Sequence, residues 1–233
     1  MHAKIDTVFI PALLCDTQLY DQLIETLGDK IAPSVLMSPK PDLAESAADI
    51  LRRAPARFVL VGTSYGANLA LEIALAAPER VSGLLLMGCD AGPASQGGPD
   101  LASGLDATPD AVIDMLAGLV VRPVDKASAA VFKTMATRVG GTAGAAQARA
   151  LASRKDHAHD LTTLAMPTLL IWGTEDALVP AVTGEKMAAQ IPNATFHTLP
   201  DCGHLPALEQ PGATARLLSA FLDQIETSNP GSR

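Results

Sequence analysis

Phe58-Val59-Leu60-Val61-Gly62-Thr63-Ser64-Tyr65-Gly66 joins an apolar run to a G-x-S-x-G pentad. Four aliphatic or aromatic residues without polar alternation read as a strand covered on both faces. The run Ala67–Ala77 beyond the pentad carries helical spacing. A serine on such a strand-to-helix turn adopts strained backbone angles, and its hydroxyl projects above the end of the sheet. A Cβ at Gly62 or Gly66 would crowd the strand against the helix, which is the physical reason for both glycines. The pentad alone is a common pattern. With a strand before it and a helix after it, Ser64 becomes a candidate nucleophile.

The same alternation extends in both directions. Further strands are expected at Thr7–Ile10, Ser34–Met37, Ser82–Gly88, Thr168–Trp172 and Ala194–Leu199, with the first-quoted strand at Phe58–Gly62. Helical spacing marks Gln18–Leu27, Leu43–Arg53, Tyr65–Ala77, Gly184–Ile191 and a helix beginning near Ala213, while Glu226–Arg233 reads as a frayed tail. Apolar strands alternating with amphipathic helices predict an α/β fold with a mostly parallel sheet.

Between Asp90 and Met166 the rhythm changes. Ala91–Pro109 reads as a Gly/Pro/Ser loop, followed by helices at Ala111–Val120 and Ala127–Val139, a break at Gly140–Gly144 and an Ala-rich helix to Arg154. The expected organisation is therefore a core of residues 1–93 plus 166–233, interrupted by a helical lid insertion, 94–165, over the carboxyl edge of the sheet.

Composition narrows the function. The 233 residues are 48% hydrophobic, 18% charged and 3% aromatic, with a net charge of −8. An acidic chain with few aromatics offers neither a phosphate-neutralising surface nor a stacking platform, so nucleic acid is not an expected partner. No apolar run approaches the roughly 20 residues of a membrane span. Met1–Ile10 lacks a secretory leader, and a cytoplasmic location is expected. Cys15, Cys89 and Cys202 have neither metal-ligand nor disulfide-framework spacing and read as small buried hydrophobes.

A serine hydroxyl needs a base, and the base an orienting carboxylate. His204, in Asp201-Cys202-Gly203-His204-Leu205-Pro206, follows the last strand, on the side where Ser64 projects. His197 lies within a strand and reads as a packing residue. His157 and His159 do not share a helix face and read as part of a solvated lid segment. For the acid, Gly173-Thr174-Glu175-Asp176 follows the strand Thr168–Trp172. Asp176 is the first choice, with Glu175 beside it and Asp90, after the preceding strand, as competitors.

With these residues in place, the sequence resembles the α/β-hydrolase superfamily over nearly its whole length. The resemblance rests on Gly62-Thr63-Ser64-Tyr65-Gly66, on Gly173-Thr174-Glu175-Asp176 with Pro180, and on Gly203-His204 with Leu208-Glu209 and Pro211. Within the superfamily it is similar to small lidded serine carboxylesterases such as the pimeloyl-carrier-protein methyl ester esterases. The resemblance implies an antiparallel strand at the start, a lid, no cofactor, and a triad of Ser64, Asp176 and His204. It also implies an oxyanion hole from the backbone N–H of Tyr65 and, by alignment of Pro11-Ala12 with a His-Gly pair in relatives, that of Leu13. Two departures stand out. Only six residues precede the first clear strand, so the family's first strands are absent or vestigial, and Ser38-Pro39-Lys40-Pro41-Asp42 replaces an Asp-x-Pro-Gly loop. A partner subunit covering the trimmed edge, and the oligomeric state generally, stay open.

The expected chemistry is hydrolysis of a carboxylic ester through an acyl-serine. Carbon–carbon bond hydrolysis, lyase-type and thioesterase reactions use the same triad, and a non-catalytic ligand receptor shares the fold. Val112, Met115, Leu116, Leu119 and Phe132 are candidates to line an acyl pocket. From Leu116 to Ala165 seven basic residues face three acidic ones, which suits a carboxylate-bearing or carrier-linked small-molecule ester, or simply a solvated helix face. No metal site is expected.

Overall fold

A computed structural model describes residues 4–94 and 99–228. Strand β1 (Ile5–Ile10) is followed by a 3₁₀ turn at Thr17–Leu19, helix α1 (Asp21–Leu27), β2 (Ile31–Val35) and α2 (Leu43–Arg53). Strand β3 (Phe58–Thr63), α3 (Tyr65–Ala76) and β4 (Val81–Met87) come next. Then come α4 (Leu101–Ala107), α5 (Pro109–Ala117) and α6 (Lys126–Ala152), with no strand among them. The chain closes with β5 (Thr168–Gly173), α7 (Ala181–Ala188), β6 (Ala194–Leu199), α8 (Pro206–Glu209) and α9 (Pro211–Ser228).

The six strands form one sheet in the order β2-β1-β3-β4-β5-β6, every pairing parallel. The antiparallel strand implied by the resemblance is absent among the described residues. Strand β3 at the centre is buried at all six positions. Alternate residues feed two cores. Phe9, Val61 and Leu85 face α1, α9 and the helices between β4 and β5, while Val8, Leu60 and Leu86 face α2, α3 and α7. The side chains of α4–α6 thus share one continuous core with the sheet.

Several expected boundaries moved. Strand β2 begins three residues before the expected Ser34, because its register with β1 runs from Ile5 opposite Ile31 to Phe9 opposite Val35. Pro33, which cannot donate to a ladder, is tolerated because β2 is an edge strand. The expected Ala91–Pro109 loop contains α4, begun by Asp100, whose carboxylate accepts the Ser103 N–H at 3.0 Å. Residues 95–98 of that stretch lie outside the described residues. The break expected at Gly140–Gly144 is a single kink in α6 at Gly140 (φ 79°, ψ 163°). Helix α9 continues to Ser228, past the expected start of fraying at Glu226, and 229–233 lie outside the described residues. Among the described residues no helix is long and apolar enough to cross a membrane.

The end of β1 is tied to the end of β3 by Tyr20. Its fully buried hydroxyl donates to the Ile10 carbonyl at 2.9 Å and pairs with Thr63 Oγ1 at 2.7 Å, one residue before Ser64. Burial pushes the phenol pKa far up, so the hydroxyl stays a donor. Tyr20→Phe strands the buried Ile10 carbonyl and the buried Thr63 hydroxyl, and is expected to lower stability by about 1–3 kcal/mol. A urea transition shifted to lower midpoint with unchanged slope checks this. An unshifted midpoint would show that the hydroxyl does not brace the strands.

Candidate active site

Ser64 sits on the turn at φ 55°, ψ −119°, a left-handed conformation for a residue with a Cβ. Such a backbone costs roughly 1–3 kcal/mol and persists only when over-determined. Here the Ser64 N–H donates to Met87 O at 2.7 Å, and the Ser64 carbonyl accepts from Ala67 and Asn68 at 2.9 and 3.0 Å. A Cβ on Gly62 would lie 2.6 Å from Ala67 Cα, and one on Gly66 would overlap the carbonyl oxygens of Ile10 and Pro11. The glycines therefore press α3 against both β3 and the end of β1, as the sequence predicted. Tyr65, at the first position of α3, has an N–H with no intrahelical acceptor.

The loops after β5 and β6 meet beside it. His204 Nδ1 donates to Asp176 Oδ2 at 2.8 Å, with the two side chains 2% and 1% exposed. Asp176 Oδ1 accepts the N–H groups of Leu178 and Val179, each at 2.9 Å. An ionised carboxylate acts as acceptor only, so the proton in this bond sits on Nδ1, which makes Nε2 the basic nitrogen of the neutral imidazole. Gly173 allows the approach, since a Cβ there would overlap the carbonyls of Cys202 and Gly203. Gly88 (φ 62°) seats the imidazole: its Cβ would lie 2.9 Å from His204 Cε1. The structure thus pairs Asp176, and neither competitor, with His204, although Asp90 lines the same cavity. Asp90 is exposed and accepts the Gly92 N–H at 2.8 Å, and Glu175 faces Arg122 at 3.4 Å.

Glu209 has a role that sequence reasoning missed, although it was among the residues carrying the resemblance. Its carboxylate accepts the N–H groups of Gly203 (3.0 Å), Leu205 (3.2 Å) and Arg122 (3.0 Å), which grips His204 from both sides and ties it to the segment between α5 and α6. Burial raises its pKa, opposed by the three N–H donors, which favour the charged form.

A cavity of about 200 Å³ has Ser64, His204 and Leu13 in its wall. Of the five expected pocket residues, Leu116 and Phe132 line it. Met115, on the outer side of α5, and Leu119, just beyond its end, are exposed instead. Leu13 belongs to a turn in which Cys15 N–H donates to Ala12 O at 3.0 Å and Leu14 takes φ 61°. Ala12 needed no glycine-only angle, because the positive φ falls on Leu14.

Most of the basic surplus between β4 and β5 is locally paired. Arg122 faces Glu175 and Asp201, Lys133 pairs with Asp114, Arg138 with Asp16 and Arg149 with Asp106. Arg154 differs in lining the cavity, where it donates to the carbonyls of Leu151, Gly92 and Pro93.

The other histidines need correction. His197 is exposed rather than packed, because β6 is the outer strand of the sheet. His157, expected to be solvated, has a side chain only 13% exposed and bridges Glu72 (Nε2, 2.7 Å) and Asp160 (Nδ1, 2.8 Å). His159 is exposed as expected, and His2 lies outside the described residues. All three cysteines are buried, and burial raises their pKa values. No metal-ligating cluster occurs among the described residues.

A model of the "Alpha/beta hydrolase family" matches residues 25–217, and the chain belongs to that family. It is 31% identical over 181 residues to a 2-hydroxy-6-oxononadienedioate/2-hydroxy-6-oxononatrienedioate hydrolase of Paraburkholderia phymatum. That match covers 72% of this chain and 63% of the relative, so the chain spans under two thirds of its length. Among solved structures, a thermophilic esterase from Thermogutta terrifontis superposes with a TM-score of 0.84 at 22% identity, covering 97% of this chain and 92% of the other. The enol-lactonase of Burkholderia xenovorans LB400 gives 0.85 at 16% identity, covering 95% and 92%. These two establish a shared fold.

The His157 bridge makes stability pH-dependent. Burial lowers the imidazole pKa, but hydrogen bonds to Asp160 and Glu72 outweigh it and hold the pKa above the ordinary value. A raised folded-state pKa gives stability that is complete below about pH 6.5 and is lost as pH climbs through the folded value. His157→Gln is expected to lower unfolding free energy by about 1–3 kcal/mol at pH 6. The deficit should shrink by pH 9, read from urea curves at both pH values. A deficit equal at the two would show that folding does not raise the His157 pKa.

Proposed function

We propose that this chain is a serine hydrolase that cleaves a carbon–carbon bond beside a ketone in a short, carboxylate-bearing substrate, with residues 94–165 acting as a lid over Ser64, His204 and Asp176. The observation that carries the reading is the buried His204–Asp176 pair in one cavity wall with Ser64. The relatives support the substrate class. The molecule in their name has a ketone, a hydroxyl and two carboxylates but no ester, so its hydrolysis must break a carbon–carbon bond.

In this scheme Ser64 Oγ adds to the ketone carbon while His204 Nε2 takes its proton, and Asp176 stabilises the imidazolium. The oxyanion lies against the N–H groups of Tyr65 and Leu13, each worth roughly 3–4 kcal/mol in comparable enzymes. For the electron pair of the broken bond to have an acceptor, the dienol first ketonises, its hydroxyl proton leaving the C2 oxygen and a proton arriving at the carbon beside the ketone. Collapse then breaks the bond from that carbon to the former ketone carbon. The pair passes through the remaining double bond onto the new C2 carbonyl as a dienolate, which takes the proton back from His204. Water, deprotonated by the same imidazole, then releases the acyl group from Ser64 as a carboxylate. Arg154 uses three N–H groups on backbone carbonyls, and its guanidinium has five. The remaining two suit the far carboxylate of such a substrate. The carboxylic ester expected from the sequence, and a thioester, follow the same steps with an alcohol or thiol leaving, and form the competing arms of the test.

The protein is expected to cleave a 2-hydroxy-6-oxo-dienedioate at least about tenfold faster, as kcat/KM, than a matched ester or thioester. Ser64→Ala should lower that rate by a factor of at least about 10³. Faster turnover of the ester than of the diketo acid would restore the ester reading, and an active Ser64→Ala would end the serine mechanism. Arg154→Met should raise KM for the diacid about tenfold and leave KM for its neutral ester unchanged. Equal KM changes for both would remove Arg154 as the carboxylate site.

A further inference from the structure

The turn that carries Leu13 is held from a distance. Gln147, 4% exposed on α6, accepts the Leu14 N–H through Oε1 at 2.9 Å, across 133 residues of sequence. One turn earlier on the same helix face, Gly144 gives room for Leu14 itself: a Cβ at Gly144 would overlap Leu14 Cδ2. One turn later, Leu151 lines the cavity. The half of α6 beyond the Gly140 kink thus lies directly on the turn Ala12–Cys15.

The peptide geometry says what this contact controls. The Ala12 carbonyl and the Leu13 N–H belong to one planar trans peptide and point in opposite directions. With Ala12 O engaged by Cys15 N–H at 3.0 Å, the Leu13 N–H is turned away from the interior of that turn. The next peptide plane carries the Leu14 N–H and is fixed by Gln147. Two successive planes are locked only while Leu14 keeps φ 61°, a conformation that strains any residue with a Cβ. The Gln147 bond favours that conformation, since without it a buried N–H loses its acceptor.

We infer that Gln147 is a positioning residue for the oxyanion hole: it sets the direction of the Leu13 N–H through Leu14, so the hole is complete only when the second half of α6 is seated. The inference rests on the proposed reading of Leu13 and Tyr65 as oxyanion donors.

The test compares wild type with Gln147→Met, which keeps the shape and removes the acceptor, and Gln147→Glu, which keeps an acceptor in either protonation state. Active sites are counted by fluorophosphonate titration and kcat is expressed per titrated site, so a partly unfolded preparation does not count as slow. Gln147→Met should lose at least about tenfold in kcat with KM within about twofold, and Gln147→Glu should recover most of the loss. The acid limb of the pH–rate profile, which reports His204, should not move. Hydrogen exchange at the Leu14 amide should be at least about tenfold faster in Gln147→Met than in wild type. A reactive wild type with kcat per site unchanged in Gln147→Met overturns the inference alone, as does an unchanged Leu14 exchange rate. A wild-type protein that takes up no probe overturns the catalytic reading first and this inference with it.

Discussion

The hydrogen bond from His204 Nδ1 to Asp176 Oδ2 is sealed from water, and much of the surrounding structure serves to hold it. A carboxylate removed from solvent is costly unless its acceptors are filled. Asp176 fills them with one imidazole and two backbone N–H groups. The approach of the β5 and β6 loops depends on Gly173, where no side chain fits, and the imidazole rests on Gly88. Glu209 then fixes the backbone on either side of the histidine. Each of these contacts is modest alone. Together they leave one orientation for the His204 imidazole, in the wall of the cavity that Ser64 also lines.

The helices between β4 and β5 are fastened to both halves of this arrangement. Glu209 takes the Arg122 N–H with one oxygen while holding the His204 loop, and Gln147 reaches from α6 to the Leu13 turn. Leu116 and Phe132 supply apolar wall from the same segment. Under the proposed reading of this segment as a lid, Glu209 and Gln147 link its seating to the two loops that carry His204 and Leu13. That coupling suits chemistry in which a carbanion must be protonated at one position before bulk water reaches it.

The central strands were legible because burial on both faces leaves uninterrupted apolar runs, and β3, β4 and β5 start within a residue of where the pattern put them. Edge strands lack that signal. β2, half exposed and interrupted by Pro33, was misplaced, and His197 on β6 was taken for a core residue. Helix α4 hid in a stretch rich in glycine and serine, although Asp100 with Ser103 three residues on was a readable cap. Ser64 and His204 could be found because each follows a strand at the carboxyl edge. Asp176 is the first choice in the sequence, and the geometry separates it from Glu175 and Asp90. Gln147 and Glu209 act through backbone N–H groups, one of them 133 residues away, and no residue pattern announces such a bond.

Intact-mass analysis after exposure to a fluorophosphonate probe tests the central claim that this buried pair activates Ser64. The account predicts one adduct per chain on wild type and none on Ser64→Ala, with labelling of Asp176→Asn slower by a factor of at least about 10³. An unlabelled wild-type chain, or labelling of Asp176→Asn at the wild-type rate, would contradict it.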